Sequence, residues 1–232
     1  ANSSTRFNSF RDINISSATA RGFLQQGSDN FHLNILTANN GLDGIFGGGV
    51  GHLRNIYLGV RSFSNIQHGM YLDVDSENSV IVDAVLSHND GSGLRVDGPG
   101  VTSAFITLAN NKTNSFETSG KGKQTLVQSL HLNSGNSLSF GGAAVLASNQ
   151  IAQTVIPSST PVQFSTPTTR SVFSENLVFS EGSGSLTCGV SIAGVGLTGA
   201  CLNQDSSTSN QFFSVSSHQA VVGALTVEDS VN

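Results

Sequence analysis

Five side chains able to do chemistry stand close together in the middle of this chain: Asp73 and Asp97, with Asp75 two residues past the first of them, and Tyr71 and Arg95. Counted from Gly69 and Gly93, which fill equivalent places in successive repeats, Tyr71 and Arg95 stand at +2, and Asp73 and Asp97 at +4. If each repeat is one layer of stacked strands, equivalent side chains lie about 4.8 Å apart. Two carboxylates about 5–9 Å apart can serve as acid and as base or nucleophile on a glycosidic bond. Tyr71 offers a ring face to a pyranose. His68, His88 and Asp90 fall on the turn side of the same repeats. The plainer reading is a solvated face, in which Arg95 pairs with Glu117 one repeat on; such an exposed pair contributes about 0–1 kcal/mol. No second basic residue stacks with Arg95, and the turns are short, so the plainer reading fits the residues better. Phe46, Tyr71, Arg95 and Glu117 then remain as glycan-binding or interface positions.

The repeat that positions these residues is Asn, three residues, Gly or Ser, then a large apolar residue. It reads Asn40 to Gly44-Ile45, Asn65 to Gly69-Met70, Asn89 to Gly93-Leu94, Asn111 to Ser115-Phe116 and Asn133 to Ser137-Leu138. A first copy ending in Gly22-Phe23 lacks the Asn. The anchors 22, 44, 69, 93, 115 and 137 are 22, 25, 24, 22 and 22 residues apart, a period that signals a repeat architecture. Apolar residues alternate before each anchor (Leu33/Ile35; Ile56/Leu58/Val60; Val82/Ala84/Leu86; Ile106/Leu108) and after it. Short period-2 runs between Gly, Asn and Ser turns are strands. Without helical periodicity between them, they predict a β-solenoid whose coils pair in parallel. An Asn at one offset in successive coils predicts an inward amide ladder over Asn40, Asn65, Asn89, Asn111 and Asn133, since Asn also tolerates the left-handed backbone of a sharp corner.

Composition narrows the function classes. Only 11% of the 232 residues are charged, the net charge is -5, and the ten Lys and Arg are scattered, so the basic stripe of a nucleic-acid binder is missing. No apolar run approaches the roughly 18 residues of a membrane helix. The His residues lack metal-type spacing, Gly47-Gly-Gly49 lacks the Lys of a phosphate loop, and no Gly-x-Ser-x-Gly is present. No metal site is predicted. Cys188 and Cys201 bracket a Gly-rich stretch and are a candidate disulfide. The sequons at Asn2, Asn14 and Asn111 are read as chance in an Asn/Ser-rich chain.

Ser87-His-Asn-Asp-Gly-Ser-Gly-Leu94 is the best single copy of a coil motif that resembles the right-handed parallel β-helix family of pectate-lyase-like enzymes, alginate epimerases and phage tailspikes. The resemblance covers residues 10–146. It implies a right-handed parallel β-helix of about six coils and, by analogy with pectate lyases, a Ca²⁺ held by the Asp cluster with Arg95 acting on a uronic acid. Otherwise no cofactor is expected. Residues 147–170 hold three of the four Pro and read as a linker or crossover; residues 171–232 read as a β-rich cap or trimerisation region. The stripe Leu24, Phe46 and Tyr71 in an outward column reads as an interface. The expectation is therefore an all-β, non-enzymatic surface protein of a virion or extracellular space: a tail spike, tail fibre or capsid decoration protein. It is homotrimeric, contacts other surface proteins and binds host polysaccharide. The alternatives are a polysaccharide lyase or glycoside hydrolase using Asp73, Asp75, Asp97 and Arg95, and a secreted bacterial adhesin.

Overall fold

The computed structural model describes residues 6–118, 124–132 and, beyond them, short strands between 136 and 218. Asn133, Cys188 and Cys201 lie outside the described residues. The fold is all-β, a right-handed parallel β-helix of about five turns, with no helix among the described residues.

Each coil contributes one long and one short strand. The long strands are β1 (Ser9–Ser16), β3 (Phe31–Ala38), β5 (Ile56–Phe63), β7 (Val80–Ser87) and β9 (Thr102–Ala109). The short ones are β2 (Phe23–Gln25), β4 (Ile45–Gly47), β6 (Met70–Leu72), β8 (Leu94–Val96) and β10 (Asn114–Thr118). Long strands pair only with long and short with short, all in parallel, giving the orders β1-β3-β5-β7-β9 and β2-β4-β6-β8-β10. Beyond them, β11 (Gln124–Val127) and β12 (Leu130–Leu132) both pair with β9, so the long-strand position is divided in that coil. Parallel pairing continues in the later strands, from Ala144–Ala147 and Val162–Phe164 to Ser216–His218.

The corners follow from backbone conformation. Left-handed residues recur at the coil period at three places: Phe7, Asp29, Arg54 and Asn78; Asp12, Asn34, Asp83 and Phe105; and Ser17, Asn39, Ser64, His88 and Asn110. The second set, completed by Gly59 at φ 71°, falls on the fourth residue of every long strand. One left-handed residue bends the strand and exchanges its inward and outward faces. In β5, Tyr57 before the bend and Val60 and Ser62 after it all point inward, whereas Ile56 and Leu58 point outward. The core is accordingly a set of stacked columns: Tyr57 on Ile81; Ile35, Val60, Ala84 and Ile106; and Ile45, Met70, Leu94 and Phe116. Each buried aliphatic side chain contributes about 1.5–3 kcal/mol.

Polar columns seal two corners. Asn40 Nδ2 donates to Asn65 Oδ1 at 2.8 Å, Asn65 to Asn89 at 2.8 Å, and Asn89 to Asn111 at 2.9 Å. The same Oδ1 atoms of Asn65, Asn89 and Asn111 also accept the backbone N–H of the preceding ladder residue. A second column runs from Asn8 through Asn30 and Asn55 to Ser79. Its spacing of 22, 25 and 24 residues equals that of the first four anchors, so the column is marked in the sequence by the same period.

Candidate functional site

The short strands place one side chain each on the outer face of their sheet. Leu24, Phe46, Tyr71, Arg95 and Glu117 are in register there, each flanked by two inward positions that anchor the strand. A second, polar column stands one residue before each anchor: Arg21, Asp43, His68, Ser92 and Asn114. Its members are joined. Arg21 Nε lies 3.2 Å from Asp43 Oδ2, Asp43 Oδ1 accepts the His68 N–H at 3.2 Å, and His68 Nδ1 accepts the Ser92 N–H at 2.9 Å. Asn114 Nδ2 donates to Glu117 Oε2 at 2.9 Å, tying the two columns together. Sequence reasoning missed Arg21 and Asp43, although a polar residue directly before every anchor was visible.

Between the columns lies a cleft of about 340 Å³ lined by Arg21, Asp43, His68, Tyr71, Asp90 and Arg95, among others. Tyr71 forms its central wall. Its ring meets Phe46 edge-on at 5.3 Å and His68 at 5.6 Å, and the Arg95 guanidinium lies 5.0 Å from its centroid. Its hydroxyl donates to Asp97 Oδ2 at 3.0 Å, an oxygen that Arg95 also reaches at 3.1 Å. Burial and the Asp97 carboxylate push the Tyr71 phenol up to about 12. Desolvation is the leading influence on His68 and lowers it below the usual histidine range, against the opposing fields of Asp43, Glu117 and Asp97. Because His68 Nδ1 accepts a backbone N–H, the neutral ring carries its proton on Nε2.

The three aspartates do not act together. Asp97 is 6% exposed and faces Tyr71 and Arg95. Asp73 organises a turn: its Oδ2 accepts the Gly49 N–H at 3.1 Å and its Oδ1 the Asp75 N–H at 3.0 Å. Among the described residues no three His, Cys, Asp or Glu side chains converge as a metal site. The residues present do not fit Ca²⁺: backbone N–H groups hold both Asp73 oxygens, and the Arg95 guanidinium already supplies positive charge to Asp97. Arg95 reaches Glu117 less closely, at 3.7 Å. His88 is exposed at a left-handed corner near Asn110, outside the cleft lining. The Leu24–Phe46–Tyr71 stripe is only partly open. Leu24 is 53% exposed, but Phe46 is capped by the Arg21 guanidinium 3.8 Å from its ring.

The fold is similar to solved structures of carbohydrate-active proteins. Against the crystal structure of pectate lyase Pel9A the TM-score is 0.57 at 12% identity, covering 84% of this chain and 55% of the other. Against the A-module of the Azotobacter vinelandii mannuronan C-5 epimerase AlgE4 it is 0.59 at 15% identity, covering 94% and 65%. The AlgE6 A-module of the same organism gives 0.50 at 14% identity, covering 93% and 64%. The chain thus spans 55–65% of the length of these structures, and at such identities the likeness is one of fold. No protein-family model matches the chain, and no curated protein matches it in sequence.

Proposed function

We propose that this chain is a glycan-binding β-helix, displayed on a virion or outside a cell, that takes up sugar in the Tyr71 cleft. The observation behind this is a cleft lined by one half-buried tyrosine ring, with the Arg95 guanidinium beside it and the Arg21 guanidinium over the neighbouring Phe46, each balanced by a buried carboxylate. An aromatic face accepts the C–H face of a pyranose, while Arg and Asp at its sides offer planar donors and acceptors for vicinal hydroxyls. With Arg21 paired to Asp43 and Arg95 to Asp97, Asp90 in the lining leaves the cleft with no surplus positive charge. That balance favours a hydroxyl-rich neutral sugar over a polyanion. The same groups are poorly set for proton transfer. Tyr71 keeps its proton at neutral pH, the acceptor nitrogen of His68 is engaged, and Asp97 is neutralised by Arg95.

A second reading, a polysaccharide lyase or epimerase, draws support from the names of the structural neighbours. Affinity electrophoresis separates the two. The chain is run through gels containing dextran, galactomannan, polygalacturonate or alginate, and each polymer is assayed for unsaturated ends and C-5 inversion. The binding reading expects retardation by a neutral polymer, lost in Tyr71→Ala, with no product formed. Product from a uronate polymer, abolished in the same variant, would replace it with the enzyme reading, and indifference to all four would refute both.

A further inference from the structure

Two side chains of the Tyr71 cleft are not accounted for by the coil that carries them. Ile66 lines the cleft and is 63% exposed. Its backbone N–H donates to Asn40 O, just as those of Gly41, Asp90 and Lys112 donate to Ala18, Asn65 and Asn89, so the four residues fill one place in successive coils. Glycine, aspartate and lysine serve that corner equally, and nothing in the corner asks for an apolar residue. His68 is the second. Asp43 holds its backbone N–H, and its Nδ1 accepts the Ser92 N–H. The ring lies against Gly91, where a Cβ would stand 2.8 Å from Nδ1. The neutral ring therefore carries its proton on Nε2, and that N–H has no acceptor among the described residues. Beside them, Asp90 stands one coil on from Ile66, about 4.8 Å along the rod. Its exposed carboxylate meets Lys112 at 4.0 Å.

We infer that the cleft reads an acetamido group, so that the sugar it takes is a 2-acetamido hexose. The inference rests on the glycan reading of the cleft and narrows it. An acetamido substituent is neutral and flat, with one acceptor, one donor and one methyl group, and the lining offers a partner to each. The methyl packs on Ile66, the carbonyl oxygen accepts from His68 Nε2–H, and the amide N–H donates to Asp90. A hydroxyl on the same carbon is too short to reach both polar groups and leaves Ile66 in water. A carboxylate there would set its charge against Asp90, in a cleft whose two guanidinium groups are already paired.

Saturation-transfer NMR on the full chain at pH 7.5 tests this. The probes are the methyl glycosides of N-acetylglucosamine, N-acetylgalactosamine and N-acetylmannosamine, each titrated beside its parent glucose, galactose or mannose glycoside. At least one acetamido sugar is expected to bind about tenfold more tightly than its parent, from one added hydrogen bond and one buried methyl, with the acetyl methyl the most strongly saturated group. Ile66→Ser and His68→Phe should each bring that ratio down toward one. Ile66 is exposed, so its substitution leaves the fold intact, which far-UV circular dichroism checks for both variants. Equal binding of acetamido and parent sugars in all three pairs overturns the inference while the glycan reading stands. A preference that both variants keep, or saturation centred on the ring protons, overturns it as well. Saturation of no sugar in either series refutes the glycan reading together with it.

Discussion

Acidification should loosen this β-helix through histidines that carry no catalytic duty. His32 lies flat in the core between Phe10 and Tyr57, at ring distances of 5.1 and 4.5 Å, and neither of its ring nitrogens has a hydrogen-bond partner. His52 is equally buried and sits 3.0 Å from the Tyr57 hydroxyl through Nε2. Burial lowers each from the usual 6.5 to about 4. The folded value lies below the unfolded one, so the unfolded chain takes up protons first. Stability is therefore intact above about pH 6.5 and falls as the pH drops toward 4. Between pH 7 and pH 5 each group costs about 2 kcal/mol, from 1.36 kcal/mol per unit over the roughly 1.5 units below 6.5, and the two together about 4 kcal/mol. Asp29, held below its usual range by the Arg54 hydrogen bond, titrates beneath this window. His131, lowered by burial to about 3, adds a similar loss to every variant compared and cancels. The assay is urea unfolding by circular dichroism at pH 7 and pH 5. His32→Phe keeps a ring in the Phe10–Tyr57 stack and should reduce the acid loss by about 2 kcal/mol while leaving stability at pH 7 within about 1 kcal/mol. An acid loss the same in variant and wild type would refute the reasoning.

Two further perturbations probe the corners. Asn65→Ala removes a side chain that accepts from Asn40 N and Nδ2 and donates to Asn89 Oδ1 and Ser62 Oγ. It should cost about 3 kcal/mol because buried donors lose their acceptor, read as a lower urea midpoint at constant slope. Gly98→Ala puts a Cβ 2.1 Å from the Ser76 carbonyl oxygen and 2.8 Å from that of Asp73, both backbone atoms that cannot swing away. A loss of about 2 kcal/mol or more is expected in thermal unfolding, whereas Gly51→Ala meets no atom within 4 Å and should lose less, through its backbone conformation alone.

The candidate cleft was only half visible in the residues. Tyr71, Arg95 and Asp97 stand out because their spacing from the anchors repeats, and register alone puts Tyr71 beside Arg95. Spacing does not say where a carboxylate turns. Asp73 and Asp97 share an offset from their anchors, yet one fastens a turn at Gly49 and the other meets a phenol and a guanidinium. The difference arises from what lies across the coil: Gly48, whose missing Cβ leaves room for the Asp73 carboxylate, has no counterpart beside Asp97. Arg21 and Asp43 joined the cleft through the column before the anchors, where each residue taken singly reads as an ordinary turn residue.

From the sequence alone came the period, the parallel stacking it demands and the offset of the corner asparagines. Each is a property of spacing along the chain, and a solenoid turns fixed spacing into vertical alignment. The tertiary structure decided which apolar residues face the core. Ile56, Leu58 and Val60 alternate without interruption in the sequence, yet the first two face outward and the third inward. A single left-handed residue at Gly59, repeated as Asn34, Asp83 and Phe105 in neighbouring coils, reverses the parity of the strand. Period-2 alternation carries no mark of that reversal, because three of these four residues are not glycine and take the conformation from the corner they stack into.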